Sequence, residues 1–161
     1  MSAAQLLVDN IKMSKMMTEN LLADFSEQEM LFRPAKGANH AMWQLGHLAG
    51  STWGMISGCD PTVKSPVSDE TRFKKEAAGV DDPAKFPKKA EVMKMFGEAM
   101  DAAAAWAGKL TEADMAKASP ERMHKFAPTF GNVAMLLAAH PMMHVGQYTV
   151  ARRALGKPVL F

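Results

Sequence analysis

The sequence contains very little cysteine: Cys59 is the one cysteine among 161 residues. An internal disulfide is therefore impossible, and a chain without disulfides suits the reducing environment of the cytoplasm. The first residues, Met1–Gln5, also lack the basic stretch and apolar core of a secretory signal. We therefore expect a cytoplasmic protein.

The sequence also lacks an excess of charge of either sign. It has 19 basic and 17 acidic residues, which gives a formal net charge of +2. Its basic residues between positions 64 and 89 are interleaved with acidic ones. A field this weak does not favour binding to nucleic acid or to an anionic membrane surface. We expect neither partner.

No apolar run is suited to crossing a bilayer. Residues 133–151 come nearest in length, but they contain His140, Pro141, His144 and Gln147. Polar and ionisable side chains are expensive in hydrocarbon, so we reject a membrane span here.

The apolar residues follow a helical period, and no segment alternates as a strand would. The predicted helices cover residues 7–25, residues 38–57, residues 88–110, and a last segment capped by Thr129 or Asn132 and ending at Leu155. We expect Gly58 to end the second helix, and the connection 60–87 to contain one short helix near Asp69–Ala77. Four long helices predict an all-α, four-helix-bundle fold formed by a single domain, residues 1–161.

The last predicted helix carries two histidines, His140 and His144, one turn apart on an apolar face. Side chains at i and i+4 lie one above the other, so both imidazoles can reach one metal ion. His47 lies on the inward face of the second helix, with small residues at positions 50, 51 and 54 beside it. Three neutral imidazoles with an open position would suit a divalent transition metal such as zinc or nickel.

Two simpler interpretations stay open at this point. A buried histidine is more often a structural residue than a ligand, provided that it finds polar partners. In addition, Pro141 removes a helical hydrogen bond and disfavours helical geometry at His140. A helix that begins at Pro141 would not align His140 with His144, whereas a bent but unbroken helix would.

Other polar residues are candidates for the same site. His40 lies seven residues before His47, and Gln147 shares the face of His140 and His144; either could orient a ligand or a substrate. We expect Cys59 to be too far along its helix to join the same metal, and His124 to be a solvated surface residue. Pro141 stands where a zinc protease of the His-Glu-x-x-His type has its glutamate base, which excludes that class.

Three stretches together resemble the DinB-like (DinB/YfiT) superfamily of four-helix metalloproteins. They are Leu31-Phe32-Arg33-Pro34 leading into the helix Ala41–Leu48, the run His140-x-x-x-His144-x-Gly146-Gln147, and the ending Arg152–Pro158. Their order and separation agree with the family over nearly the whole length, although Pro141 departs from its usual pattern.

This resemblance implies an up-down-down-up bundle, a metal site formed by His47, His140 and His144, and frequent homodimers. Characterised relatives include S-transferases that use low-molecular-weight thiols and a thiol-dependent isomerase. The resemblance therefore implies a metal-dependent enzyme that acts on a small-molecule substrate, with a low-molecular-weight thiol as a candidate cosubstrate. A metal-dependent hydrolase and a non-enzymatic binding bundle are the alternatives.

Overall fold

The computed structural model describes residues 1–67 and 71–161, and within these ranges the regular structure is helical, without a β-strand. The α-helices are α1 (Ala3–Leu22), α2 (Ala41–Cys59), α3 (Lys89–Ala107), the short α4 (Glu112–Met115) and α5 (Phe130–Ala154). Short 3₁₀ helices lie at Glu29–Leu31, Thr71–Phe73, Lys75–Ala77, Pro83–Lys85 and Glu121–Met123. The predicted all-α fold with four long helices is confirmed.

The four long helices run up, down, down and up. Residues 6–13 of α1 and 135–142 of α5, mostly from the first half of each helix, line one groove. Arg152 near the end of α5 donates to the carbonyl of Leu21 near the end of α1, so these helices are parallel. Helix α3 is antiparallel to α1, since Gly108 after α3 lies against Val8. The end of α2 lies beside Met123, just ahead of α5, so α2 runs down as α3 does. This is the topology that the family resemblance implies.

Capping residues explain where the helices begin and end. Thr129 and Asn132 form a capping box at the start of α5, as predicted. Helix α2 begins three residues later than predicted because His40 caps it, and it runs through Gly58 to Cys59 instead of ending before the glycine. The short helix predicted near Asp69–Ala77 is replaced from residue 71 onward by two 3₁₀ helices, and its first residues, 69 and 70, lie outside the described residues.

Helix α5 continues through Pro141 without interruption. The proline is buried, and Val133, Ala134 and Leu137 earlier on α5 are fully buried. Packing along the length of α5 therefore outweighs the roughly 3 kcal/mol that an internal proline costs a helix. The unbroken helix is the interpretation under which His140 and His144 share a face.

None of the helices in the described ranges is sufficiently long and apolar to cross a membrane. This agrees with the rejection of a span at residues 133–151.

Close packing against α2 depends on its glycines. A Cβ atom built on Gly46 would lie 2.2 Å from the ring of Phe73, which is buried against the helix. One built on Gly58 would lie 2.8 Å from Nη2 of Arg122 and from the terminal methyl of Met123. The glycines thus allow two connecting segments, around residues 73 and 122, to lie directly on the α2 backbone.

We predict that Gly46→Ala destabilises the protein by about 1–3 kcal/mol, because the added methyl group overpacks the Phe73 ring. Gly54→Ala is the matched control, since its Cβ would meet nothing within 4 Å. That variant should be as stable as the parent or up to about 1 kcal/mol more stable, from helix propensity alone. Urea unfolding measures both changes, and a Gly46→Ala protein as stable as the parent contradicts the account.

Candidate metal centre

Three histidines from two helices converge in the bundle. Helix α2 contributes His47, and α5 contributes His140 and His144. One ring nitrogen from each can be chosen so that all three lie within 4.8 Å of one another, an arrangement that could hold one metal ion. The ring centres of His140 and His144 are 5.2 Å apart, as are those of His47 and His140. The structure thus brings together the three histidines that the sequence singles out.

A glutamine on α2 determines which nitrogen His144 can offer. Gln44 Oε1 lies 2.7 Å from His144 Nδ1, and Gln44 Nε2 donates to the carbonyl of Asn39 at 2.6 Å. The second bond fixes the orientation of the amide, so the Gln44 oxygen faces His144 and can only accept. His144 therefore carries its proton on Nδ1, and Nε2 is left with a free lone pair. A hydrogen bond of this kind is how proteins commonly orient a metal-binding histidine.

The ring of His47 is held by a tryptophan. Trp43 stacks on it with ring centres 4.9 Å apart and an interplanar angle of 5°. The indole Nε1 donates to the carbonyl of Lys74 at 3.1 Å, which fixes the tryptophan in turn. Since Trp43 lies one turn before His47 on α2, the same helix supplies both the candidate ligand and its support.

Burial favours the neutral form of all three imidazoles. Loss of solvation lowers the pKa of His47, and it lowers the pKa of His140 to about 4 and of His144 to about 3, with neighbouring histidines adding to the last two shifts. A neutral imidazole is the form that binds a metal ion. The residues present therefore fit a divalent transition metal: three unprotonated nitrogen donors, one of them oriented by Gln44.

The structure places His40 outside this cluster, at the N-terminus of α2. Its Nδ1 accepts from the backbone N–H of Trp43 at 3.0 Å, so Nε2 carries the proton and donates to the carbonyl of Val80 at 3.0 Å. Arg33 holds the same loop by donating to the carbonyls of Ala38, Ala78 and Val80. Both nitrogens of His40 are thus engaged in fixing the start of the helix that carries Gln44 and His47.

The remaining candidates are exposed or half-buried, and two of them, Cys59 and His124, lie outside the histidine cluster. Gln147 is exposed on α5, one residue beyond Gly146, which is also exposed. Cys59 is half-buried at the end of α2, and burial raises the pKa of its thiol to about 11. His124 is exposed and bonds the carbonyl of Ser119 at 2.7 Å. Neither Cys59 nor His124 belongs to the cluster, in agreement with the sequence analysis.

A cavity of about 530 Å³ opens beside His47. Its α2 side is lined by Gly50, Ser51, Gly54 and Met55, and the opposite wall comes from residues 73–76 and 122–123. The volume is in the range of small-molecule sites, which run from about 300 to 1,000 Å³. The small residues at positions 50, 51 and 54 do leave room beside His47, as the sequence suggests.

The sequence did not reveal the roles of Gln44 and Trp43, nor the placement of Glu76 on the cavity wall. The position of Gln44 on the inward face, three residues before His47, is a signal that could have suggested a partner for a buried imidazole. Glu76 gave no such signal, because it belongs to an irregular connection without a helical period.

These features define a class of protein: an all-α, up-down-down-up four-helix bundle in which three histidines from two helices could hold a metal ion. Residues 11–148 of the sequence match the DinB superfamily. The chain belongs to that superfamily, as the resemblance of its short motifs predicts. No curated protein matches the sequence.

A solved structure shares the fold over nearly the whole chain. It is described as a conserved protein of Enterococcus faecalis, with a TM-score of 0.75 and 18% identity. The match covers 98% of this chain and 99% of the other. At this identity the similarity concerns the fold alone.

We predict that Gln44→Met lowers metal affinity about 10- to 100-fold, because His144 loses the acceptor that fixes its tautomer and its ring. Gln44→Glu keeps an oxygen acceptor at the same place and should retain most of the affinity. Competition with a chromophoric zinc chelator measures both variants. Equal affinities for Gln44→Met and the parent protein contradict the proposed role of Gln44.

Proposed function

We propose that the protein is a metal-dependent enzyme that transfers or adds a small thiol to an electrophilic small molecule. The observation that carries the proposal is the convergence of three neutral imidazoles beside an open cavity of small-molecule size. Membership of the DinB superfamily supports it, since the resemblance implies thiol-using relatives.

In this proposal His47, His140 and His144 hold a divalent transition metal, zinc or nickel. Such an ion, when bound, lowers the pKa of a thiol or water that shares its coordination sphere. Gln44 keeps Nε2 of His144 unprotonated, and Trp43 fixes the ring of His47. The cavity beside His47 admits the substrate and the thiol.

The residues around the centre favour a thiol over water as the nucleophile. A free thiol has a pKa of about 8.5, whereas water has about 15.7, so a thiol needs much less acidification. Neither histidine motif supplies a carboxylate base, and Glu76 lies on the cavity wall in an exposed position. Gln147 remains a candidate for orienting the bound ligand, whereas the hydrogen bonds of His40 assign it to holding the start of α2.

The test is a panel of bacterial low-molecular-weight thiols with a chromogenic aryl chloride, assayed on protein loaded with zinc or nickel. We expect at least one thiol to react faster than the background, and His144→Ala to return the rate to background. His124→Ala is the matched control, because it removes an exposed histidine outside the cluster.

Two outcomes would contradict the proposal and favour one of its alternatives. Hydrolysis of simple esters or amides, lost in His144→Ala and without any thiol reaction, favours the hydrolase. If every thiol, ester and amide reacts only at the background rate, the protein is a non-enzymatic metal- or ligand-binding bundle.

We also propose that the protein forms a homodimer through an apolar face of α1 and α5. That face exposes Leu6, Met13, Met135 and Met143, each between 45% and 60% accessible to solvent. Packing of a second copy would remove this apolar surface from water. Sedimentation equilibrium should give about twice the chain mass of 17.5 kDa, and a mass equal to that of one chain contradicts the dimer.

A further inference from the structure

The cavity beside His47 has a basic wall that the proposed metal chemistry does not use. Lys74, Lys75 and Arg122 line it together with one carboxylate, Glu76. Three cations less one carboxylate leave this small surface with a formal charge of +2, which equals the net charge of the whole chain. Within the described part of the chain, none of the three cations forms an ion pair.

Arg122 is fixed against the floor of the cavity. Its Nη2 donates to the carbonyl of Gly54 at 3.1 Å, and the absence of a side chain at Gly58 gives the guanidinium room to lie on α2. A guanidinium has five N–H donors arranged to match an oxyanion, so several remain for a ligand after this bond. An arginine positioned in this way loses less side-chain entropy on binding than a free one.

Arg122 and His47 lie at different positions along α2, since Arg122 binds the carbonyl of Gly54. His47, Ser51 and Gly54 follow one another on one face of α2, and seven residues of helix separate His47 from Gly54 by about 10 Å. Met55, Phe73 and Met123 give the cavity an apolar lining, and Ser51 adds one hydroxyl. The cavity therefore has the candidate ligand His47 at one end and the guanidinium of Arg122 towards the other. Lys74 and Lys75 line the wall that is tied to Trp43, nearer to His47.

We propose that this cavity binds an organic anion whose carboxylate or phosphate group is held by Arg122, with Lys74 and Lys75 adding positive charge to the lining. Its apolar body lies over Met55, Phe73 and Met123, and its other end approaches His47. This inference names the substrate class for the proposed function, and it rests on that function only for the reaction at the far end. The anion site itself is defined by the cavity and its charges.

The first experiment uses metal-free protein, so that binding of the anion is measured without the metal centre. Hexanoate, hexyl phosphate and the neutral hexanamide are titrated, and amide chemical shifts are followed by NMR. We expect the anions to bind at least about five-fold more tightly than hexanamide, through charge-assisted hydrogen bonds to an exposed arginine. The better of the two anions identifies the preferred group.

Arg122→Met should remove most of this preference while leaving hexanamide binding unchanged. Arg153→Met is the matched control, because it removes an exposed arginine that does not line the cavity. Lys74→Met combined with Lys75→Met should reduce the preference further. If hexanoate, hexyl phosphate and hexanamide bind wild-type protein equally, or if Arg122→Met and Arg153→Met behave alike, the anion site is wrong.

A second experiment separates this inference from the proposed function. Zinc-loaded protein is titrated with ω-mercaptohexanoate and with ω-mercaptohexanamide, which differ only in the charge of the end remote from the thiol. Tighter binding of the anionic thiol than of the amide, lost in Arg122→Met, supports the anion site, and tighter binding of both thiols than of their thiol-free parents supports the thiol chemistry. If neither thiol binds more tightly than its thiol-free parent, the thiol chemistry fails, while the result with metal-free protein still decides the anion site.

Discussion

The hydrogen bond between Gln44 and His144 is the contact on which the proposed centre depends. It joins α2 to α5 across the bundle interior at 2.7 Å, between two side chains that are each less than 10% exposed. A buried imidazole without a hydrogen-bond partner would be costly. If His144 carried its proton on Nε2, that nitrogen would have no lone pair to offer a metal. The backbone carbonyl of Asn39 fixes the amide, and His40 fixes the turn that presents Asn39. The tautomer of His144 is thus determined by the N-terminus of α2.

Helix α2 also builds the access to the centre. Its glycines let Phe73 and Arg122 approach the backbone closely, at the two ends of the cavity that opens beside His47. Glycine in a helix costs up to about 1 kcal/mol relative to alanine. The wall around residue 74 is tied to the same helix through the indole of Trp43, which also stacks on His47. One helix therefore orients a candidate ligand and shapes the space beside it.

The sequence predicts the parts of this arrangement that follow a helical period. The four long helices and the inward faces bearing His47, His140 and His144 all come from that period. The sequence alone could not predict whether α5 continues through Pro141, because packing along the whole helix outweighs the local cost of the proline. Nor could it separate His40 as a cap from His40 in the site, since both place a histidine at the start of an apolar face. The cavity wall lay beyond sequence reasoning, because residues 73–76 and 122–123 belong to connections without a period.

The central claim is that His47, His140 and His144 bind one metal ion together. The most direct measurement is an anomalous difference map at the zinc absorption edge, from crystals of untagged protein grown with zinc. The account predicts one strong peak between the three imidazoles, in contact with Nε2 of His144 and separated from Nδ1 by the ring. An empty centre, or a peak at His124 or Cys59 with none between the three histidines, would contradict it.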